Sequence, residues 1–313
     1  MSAGILVDAL LTGAVAAATP LLVAGLGELA AERAGVLNIG IEGLMLAGCF
    51  AAFAVTAATG NPWLGLGAAV LAAMALGGVF AVVSLTCRAD QIVAGMAVNL
   101  LAVGGTGAAW RILQDRGLTD LPAGSGFTRG WTGIPALGEL PVVGPLLFDQ
   151  YGMTAFALVL AGVLALVRRR TRLGLVLHGV GQDPHALAAS GVRVLGVRWG
   201  AVLFAAACAG LAGAYLSTMR THAFVPLMTG GTGFVVLALV MFGRWSVGGL
   251  VVGCLLFGLA ESAQQGLQSL PGARVVPHQL FQALPYLVAL IALALAGRSA
   301  PGPAALGRPW PER

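Results

Sequence analysis

The chain has 313 residues, 58% of them hydrophobic and 9% charged, with a formal net charge of +5 and a mean hydropathy of +0.91. Soluble domains carry roughly 25% charged residues, so these ionised groups cannot cover a globular surface, and the chain reads as an integral membrane protein. All 17 basic residues are arginine; without lysine there is no G-x-x-x-x-G-K-S/T phosphate loop and no Schiff-base lysine chemistry.

Any ATP hydrolysis linked to this chain therefore belongs to another polypeptide. The 47 glycines, about twice the usual share of roughly 7%, suit helices whose backbones approach closely in lipid. Cys49, Cys87, Cys208 and Cys254 are far apart and have no C-x-x-C spacing, so they read as small apolar side chains in helix packing.

A bilayer core of roughly 30 Å needs about 20 apolar residues per helix. That length places nine spans at 8–26, 41–59, 64–86, 92–110, 150–167, 196–216, 224–243, 247–268 and 281–297. The expected fold is an all-α polytopic transmembrane bundle, one domain over 1–300 with a short cytoplasmic tail at 301–313. The first arginine is Arg33, so the N-terminus lacks the basic leader region of a cleavable signal, and the first span reads as retained.

The seventh span begins with Pro226 and the cluster Gly230-Gly231-Thr232-Gly233, which predicts a broken or re-entrant first half. Such backbone is tolerated at membrane depth only where protein or a water-filled cavity satisfies it. The stretch "ERAGVLNIGIEG" at 32–43 is its counterpart in the first half. A pair of interrupted segments points to a transport pathway.

Orientation follows the arginines. With the N-terminus outside and nine alternating spans, twelve arginines face the cytoplasm and five face out, so the chain is expected N-out and C-in. Trp110, Trp131, Trp199, Trp245 and Tyr286 fall near predicted boundaries, as interfacial aromatics do. The segment 111–149, with Asp115, Asp120, Glu139 and Asp149, reads as a structured external loop.

Polar residues inside spans carry the remaining information. Asn38 and Glu42 lie four apart on one helical face, as do Glu28 and Glu32. Glu32 and Arg33 fall near the cytoplasmic boundary, where an ion pair or helix cap is expected. Asn38 and Glu42 lie deeper and either glue helices or line a path. Asp90 beside Arg88 reads as an interface pair or an N-cap, followed by Gln91. Asn99 either bridges helices or meets a passing hydroxyl. The substrate-path candidates are thus Asn38, Glu42, Gln91 and Asn99. Glu261, Gln264, Gln265 and Gln268 form a polar stripe at the far end of the eighth span, at an entrance or a partner contact.

The inner segment 168–198 contains a short helix. Asp183 can cap its N-terminus, Pro184 suits the first helical position, and Gly191 closes it. The segment is either an amphipathic connector or a knob that docks into a partner. His178, His185, His222 and His278 have no metal-ligand spacing. No Ser/His/Asp arrangement or basic aromatic patch suggests catalysis or nucleic-acid binding. The sequence pI near 9.6 needs no partner beyond anionic lipid headgroups.

"TRLGLVLHGVGQDPHALAASGVRV" (171–194) resembles the coupling segment of ATP-binding-cassette importer permeases. "ERAGVLNIGIEGLMLAGCFAAF" (32–53), "ADQIVAGMAVNLLAVG" (89–104) and "GTGFVVLALVMFGRWSVGGLVVGCLLFG" (231–258) resemble, in order, the permeases for ribose, simple sugars, nucleosides and branched-chain amino acids. Within that family, "GVLNIGIEG" and "ADQIVAG" look most like the nucleoside and simple-sugar branch. The resemblance implies a bacterial plasma-membrane complex with a separate ATPase, a second and different permease, and an extracytoplasmic substrate-binding protein. ATP and Mg would sit on the ATPase, with no cofactor in this chain. It also implies that Gly181, Gln182, Asp183, Pro184, His185, Ala189, Ser190 and Gly191 couple to that ATPase. The implied cargo is a nucleoside; ribose-type sugars and branched-chain amino acids stay open. Rival readings are an ion-coupled secondary transporter, with Glu42 as its buried acid, and a membrane scaffold.

Overall fold

Main-chain groups at bilayer depth have no water to bond, so each spanning segment must satisfy its own. A computed structural model of the chain describes residues 3–122, 124–127, 150–268 and 302–310, with Ala283, Tyr286 and Leu287. Among these residues there are helices and no strands. In chain order they are α1 (Ala3–Arg33), α2 (Ile41–Thr59), α3 (Pro62–Ala81), α4 (Gln91–Asp115) and α5 (Gly152–Arg170). Then come α6 (Arg172–Gln182), α7 (Pro184–Ala189), α8 (Val194–Ala214), α9 (Thr232–Phe242) and α10 (Val247–Gln268). Single π-helical turns extend α3 over Val82–Thr86 and α8 over Tyr215–Arg220.

Seven segments are long and apolar enough to cross a membrane: those of α1, α2, α3, α4, α5, α8 and α10. They match seven of the nine predicted spans. The seventh predicted span is the 11-residue α9 preceded by turns, as its Pro and Gly cluster implied. The ninth, 281–297, lies outside the described residues apart from Ala283, Tyr286 and Leu287, as does 128–149 of the external loop.

Local chemistry sets the ends. The α2–α3 connection is two residues: Gly60 closes α2 at φ +69° and Asn61 accepts from Trp63 N and Leu64 N, with Pro62 opening α3. Asp90 caps α4, its Oδ1 accepting from Ile92 N at 2.8 Å and Val93 N at 3.0 Å. The N-cap alternative for Asp90 is the one the structure adopts.

Inside the bundle, α1 packs on α8 and α10, while α2 packs on α3, α4 and α8. Apolar side chains of α3, α4 and α5 that point away from it, such as Leu71, Leu100 and Val159, are exposed and suit a lipid-facing surface. Small residues make the inner crossing possible. A β-carbon on Gly213 of α8 would strike the Met45 carbonyl of α2, and one on Gly48 would strike Gly210. Close backbone approach of this kind supplies the van der Waals contact that holds helices together in lipid.

Pro20 lies inside the continuous helix α1. It cannot donate to the carbonyl four residues back, at Ala16. The Tyr215 hydroxyl, fully buried at the start of the second π turn, donates to that Ala16 oxygen at 3.1 Å. The carbonyl that Pro20 leaves unpaired in one helix is thereby satisfied from the irregular turn of another.

Gly213→Ala is expected to destabilise the bundle by about 1–3 kcal/mol through overpacking, read as a lower melting temperature in detergent. Gly104→Ala, where an added β-carbon meets nothing within 4 Å, is expected to change stability by no more than about 0.5 kcal/mol. Equal losses at both positions would contradict the close α2–α8 crossing.

Candidate functional site

The two interrupted segments predicted from sequence meet in space. The first, 34–40, begins where α1 ends at Arg33, turns at Gly35 (φ +82°) and re-enters as α2 at Ile41. The second, 221–231, contains positive φ at His222, Leu227, Gly230 and Gly231 and leads into α9. The first turn of any helix leaves N–H groups without intrahelical partners, and the N-cap of α9 is Gly231, which has no side chain to supply one. The Glu42 carboxylate, from the first turn of α2, takes that role. One oxygen accepts from Gly231 N at 2.8 Å and the other from Gly233 N at 2.6 Å. Carboxylates are favoured there by the partial positive charge of a helix N-terminus. Gly233 permits the approach: a β-carbon on it would lie 2.6 Å from Glu42 Cα.

The other path candidates hold the first break. Asn99 of α4 accepts from Gly43 N at 2.8 Å and donates to the Ile39 carbonyl at 3.0 Å. Gln91 accepts from Leu37 N at 2.8 Å. Asn38 accepts from Gly40 N at 3.1 Å, while its own N–H donates to Glu28 at 3.1 Å. Asn38, Glu42, Gln91 and Asn99 therefore bind main-chain groups in or beside the two irregular stretches, and none lines the cavity at the far end of α10. The polar stripe does line it: Glu261, Gln264 and Gln265 face a cavity of about 410 Å³, with Glu261 paired to Arg220 at 2.5 Å. Gln268 is not on its wall.

At the opposite end, α7 is built as its sequence implied. Asp183 accepts from Ala186 N at 3.0 Å, Pro184 takes the first position, and Gly191 has φ +86°. The surprise is its attachment. Residues 302–310 run beneath it: Ala305 N donates to the Gly181 carbonyl at 2.9 Å, and Gly307 N donates to the Gly35 carbonyl at 3.1 Å. The rings of His185 and Trp310 meet edge-on at 4.5 Å between centroids. Arg198, read from sequence as one more cytoplasmic arginine, is fully buried. It donates to the Ala34 carbonyl at 3.1 Å and the Arg308 carbonyl at 2.8 Å.

Glu32 and Arg33 also depart from expectation. They were expected as a solvated ion pair or cap, but Glu32 is fully buried and accepts from the Trp245 indole N–H. Arg33 donates to the Trp245 carbonyl and, at 3.1 Å, to His178 Nδ1. Trp245 is thus 8% exposed and pins the α9–α10 turn to the base of α1, instead of sitting at a lipid interface. Its φ of +51° had no signal in sequence. His178 is held below its ordinary pKa by burial and then by the Arg33 and Arg168 guanidinium groups, which keeps its Nδ1 available as an acceptor.

The described residues thus form a polytopic helical bundle in which the two irregular stretches are joined through Glu42 and a short helix lies between two spans. The chain belongs to the family described as the permease component of branched-chain amino acid transport systems, whose profile matches residues 10–293. It is accordingly a multi-pass protein of the bacterial inner membrane. It is 33% identical to a guanosine ABC transporter permease protein, NupQ, of Bacillus subtilis, over 94% of this chain and 93% of the relative. It is 31% identical to a nucleoside ABC transporter permease protein, NupC, of Lactococcus lactis, over 88% of both chains. A Haloferax volcanii protein named provisionally as a glucose ABC transporter permease, TsgC13, is 39% identical over 83% of this chain and 78% of its own length. No solved structure matches the chain.

Two predictions follow the geometry. Glu42→Ala leaves two main-chain donors without their acceptor, at about 1–3 kcal/mol each; its melting temperature is expected to fall well below that of Glu42→Gln, which keeps one acceptor oxygen. Equal melting temperatures would show that the carboxylate does not hold α9. For His178, a depressed pKa contributes stability above the ordinary value and loses it as pH falls. The stability advantage of wild type over His178→Gln is therefore expected to narrow between about pH 7.5 and about pH 5.5, measured by thermal unfolding in detergent.

Proposed function

We propose that this chain translocates nucleosides as one permease of an ATP-driven importer, by alternating access powered by a separate ATPase. The observation that carries the reading is similarity over roughly nine-tenths of the chain to permeases named for nucleosides and guanosine in two bacteria. The glucose-named relative supports a second reading, a simple-sugar permease of the same architecture. The chain holds no catalytic residue; ATP and Mg belong to the ATPase. A second, different permease and an extracytoplasmic binding protein complete the complex.

The end bearing α7 is taken as cytoplasmic. Arg33 and Arg168 to Arg170 collect there, around a basin of about 520 Å³, which accords with the arginine bias. Residues 181–191 would dock into the ATPase. The 302–310 segment then offers a mechanical link, since it bonds both Gly181 and Gly35. From Gly35 the chain runs directly to Glu42 and the N-terminus of α9. Motion at α7 would reach the paired breaks by a covalent and hydrogen-bonded route of a few residues.

Asp183→Leu or Gly191→Leu is expected to abolish nucleoside uptake while the permease reaches the membrane at wild-type levels. Normal uptake by both variants would remove the coupling role. Mild-detergent purification should recover an ATPase with the chain; uptake that survives ATP depletion would instead favour an ion-driven carrier.

A further inference from the structure

Around the 410 Å³ cavity, three backbone irregularities converge on one space: Pro20 of α1, the π turn Tyr215–Arg220, and the glycine turn 228–232. π turns recur at functional sites, and irregular backbone at membrane depth is tolerated where it lines a cavity. The cavity sits on α10 well beyond its first residues, so it opens toward the end of the bundle remote from α7. Its floor includes Gly230 and Thr232, which flank the Gly231 N–H held by Glu42.

The wall chemistry restricts what fits. Arg220 and Glu261 are the charged groups on it among the described residues, and they neutralise each other at 2.5 Å. A ligand with a net charge finds no uncommitted countercharge, and a zwitterion would first have to separate that pair. Gln265 donates to Glu261 at 3.4 Å, leaving its carbonyl oxygen, and the whole amide of Gln264, directed to neutral donors and acceptors. Much of the remaining lining is apolar: Leu21, Leu216 and Met228, with Phe257 one turn before Glu261 on the same face of α10 and Tyr286 edge-to-face with it at 6.0 Å between ring centroids. A hexose carries hydroxyls over most of its surface and would leave several of them against that lining. A nucleoside has one planar face for the aromatic side and hydrogen-bonding edges for the amides. The volume falls in the usual range for small-molecule sites, roughly 300–1,000 Å³.

We propose that this cavity is a binding station for an uncharged nucleoside, with Gln264 and Gln265 reading its polar edge and Phe257 and Tyr286 receiving its base. The assignment rests on the nucleoside reading of the permease and adds to it the place and the residues. It also connects cargo to gate, because the cavity floor is the turn that Glu42 fastens.

The test uses the complete complex in proteoliposomes, with guanosine as the probe. In a Cys87→Ser background, Gln264→Cys gives a cavity thiol, the other three cysteines being buried. Guanosine is expected to slow its labelling by a membrane-impermeant thiol reagent, while glucose and guanosine monophosphate leave the rate unchanged. Separately, Gln264→Leu with Gln265→Leu is expected to lower maximal guanosine uptake about fivefold, the worth of one lost hydrogen bond. Uptake is compared at equal amounts of assembled complex, and the labelling measurement tests the station independently of that variant. Guanosine uptake by wild type with unprotected labelling and normal transport by the double Leu variant would overturn the station and leave the cargo class standing. Wild-type uptake of glucose with no uptake of guanosine would overturn the cargo reading itself, and the station with it.

Discussion

The structure depends on one constraint, that main-chain N–H and C=O groups at membrane depth must be paired. The chain leaves helical conformation at 34–40, between α1 and α2, and at 221–231, before α9, and each irregular stretch releases main-chain groups that need partners. The chain answers with side chains from elsewhere in the fold. Glu42 takes Gly231 and Gly233, Asn99 spans Gly43 and Ile39, and Gln91 takes Leu37. A buried carboxylate or amide is costly unless it is bonded. Here the side chains that are expensive to bury and the backbone that is expensive to leave unpaired offset one another. That reciprocity explains why so greasy a chain keeps acids and amides in these segments.

The same logic accounts for the packing around the breaks. Pro20 frees the Ala16 carbonyl and Tyr215 binds it, so a kink-prone position in α1 and the π turn after α8 stabilise each other. Glycines at 48, 210, 213 and 233 bring backbones to distances that any β-carbon would forbid. Close contact matters more here than in water, since lipid tails remove most of the hydrophobic drive for helix association.

Much of the fold was legible because its signals are local. Span length, the cap at Asp90, the Asp183-Pro184 start and the Gly191 stop of α7 depend on a few neighbouring residues. The pairing of the two interrupted segments was legible as a pattern, though not the atom that joins them; Glu42 stood equally for packing and for a path. What escaped the sequence was long-range and geometric. Arg198 and Trp245 had the composition of a solvated charge and an interfacial ring, and both are buried because backbone carbonyls and Glu32 reach them from distant parts of the chain. The role of residues 302–310 was equally hidden. "GPAALGRP" has no helical period, and its main-chain bonds to Gly181 and Gly35 appear only once those residues are brought to one end of the bundle.

Alternating access requires an element with two arrangements separated by a few kcal/mol, because a ligand or motor can shift the balance only by its differential interaction with the two states. The Glu42 contact has a suitable scale. A hydrogen bond to a charged group contributes about 1.5–3 kcal/mol, and Glu42 makes two of them to a short, 11-residue helix. A fully spanning helix packed along its length could not be released by so local a change. α9 is short, is preceded by turns and packs on α1 and α10, and its polar hold on α2 is the one Glu42 carboxylate. Breaking that hold would strand two N–H groups unless water or cargo reached them, and the cavity over Gly230 and Thr232 is where either would arrive. The discontinuity in the seventh segment thus gathers its polar attachment at one carboxylate, beside the cavity lined by Gly230 and Thr232 and seven residues along the chain from the Gly35–Gly307 contact.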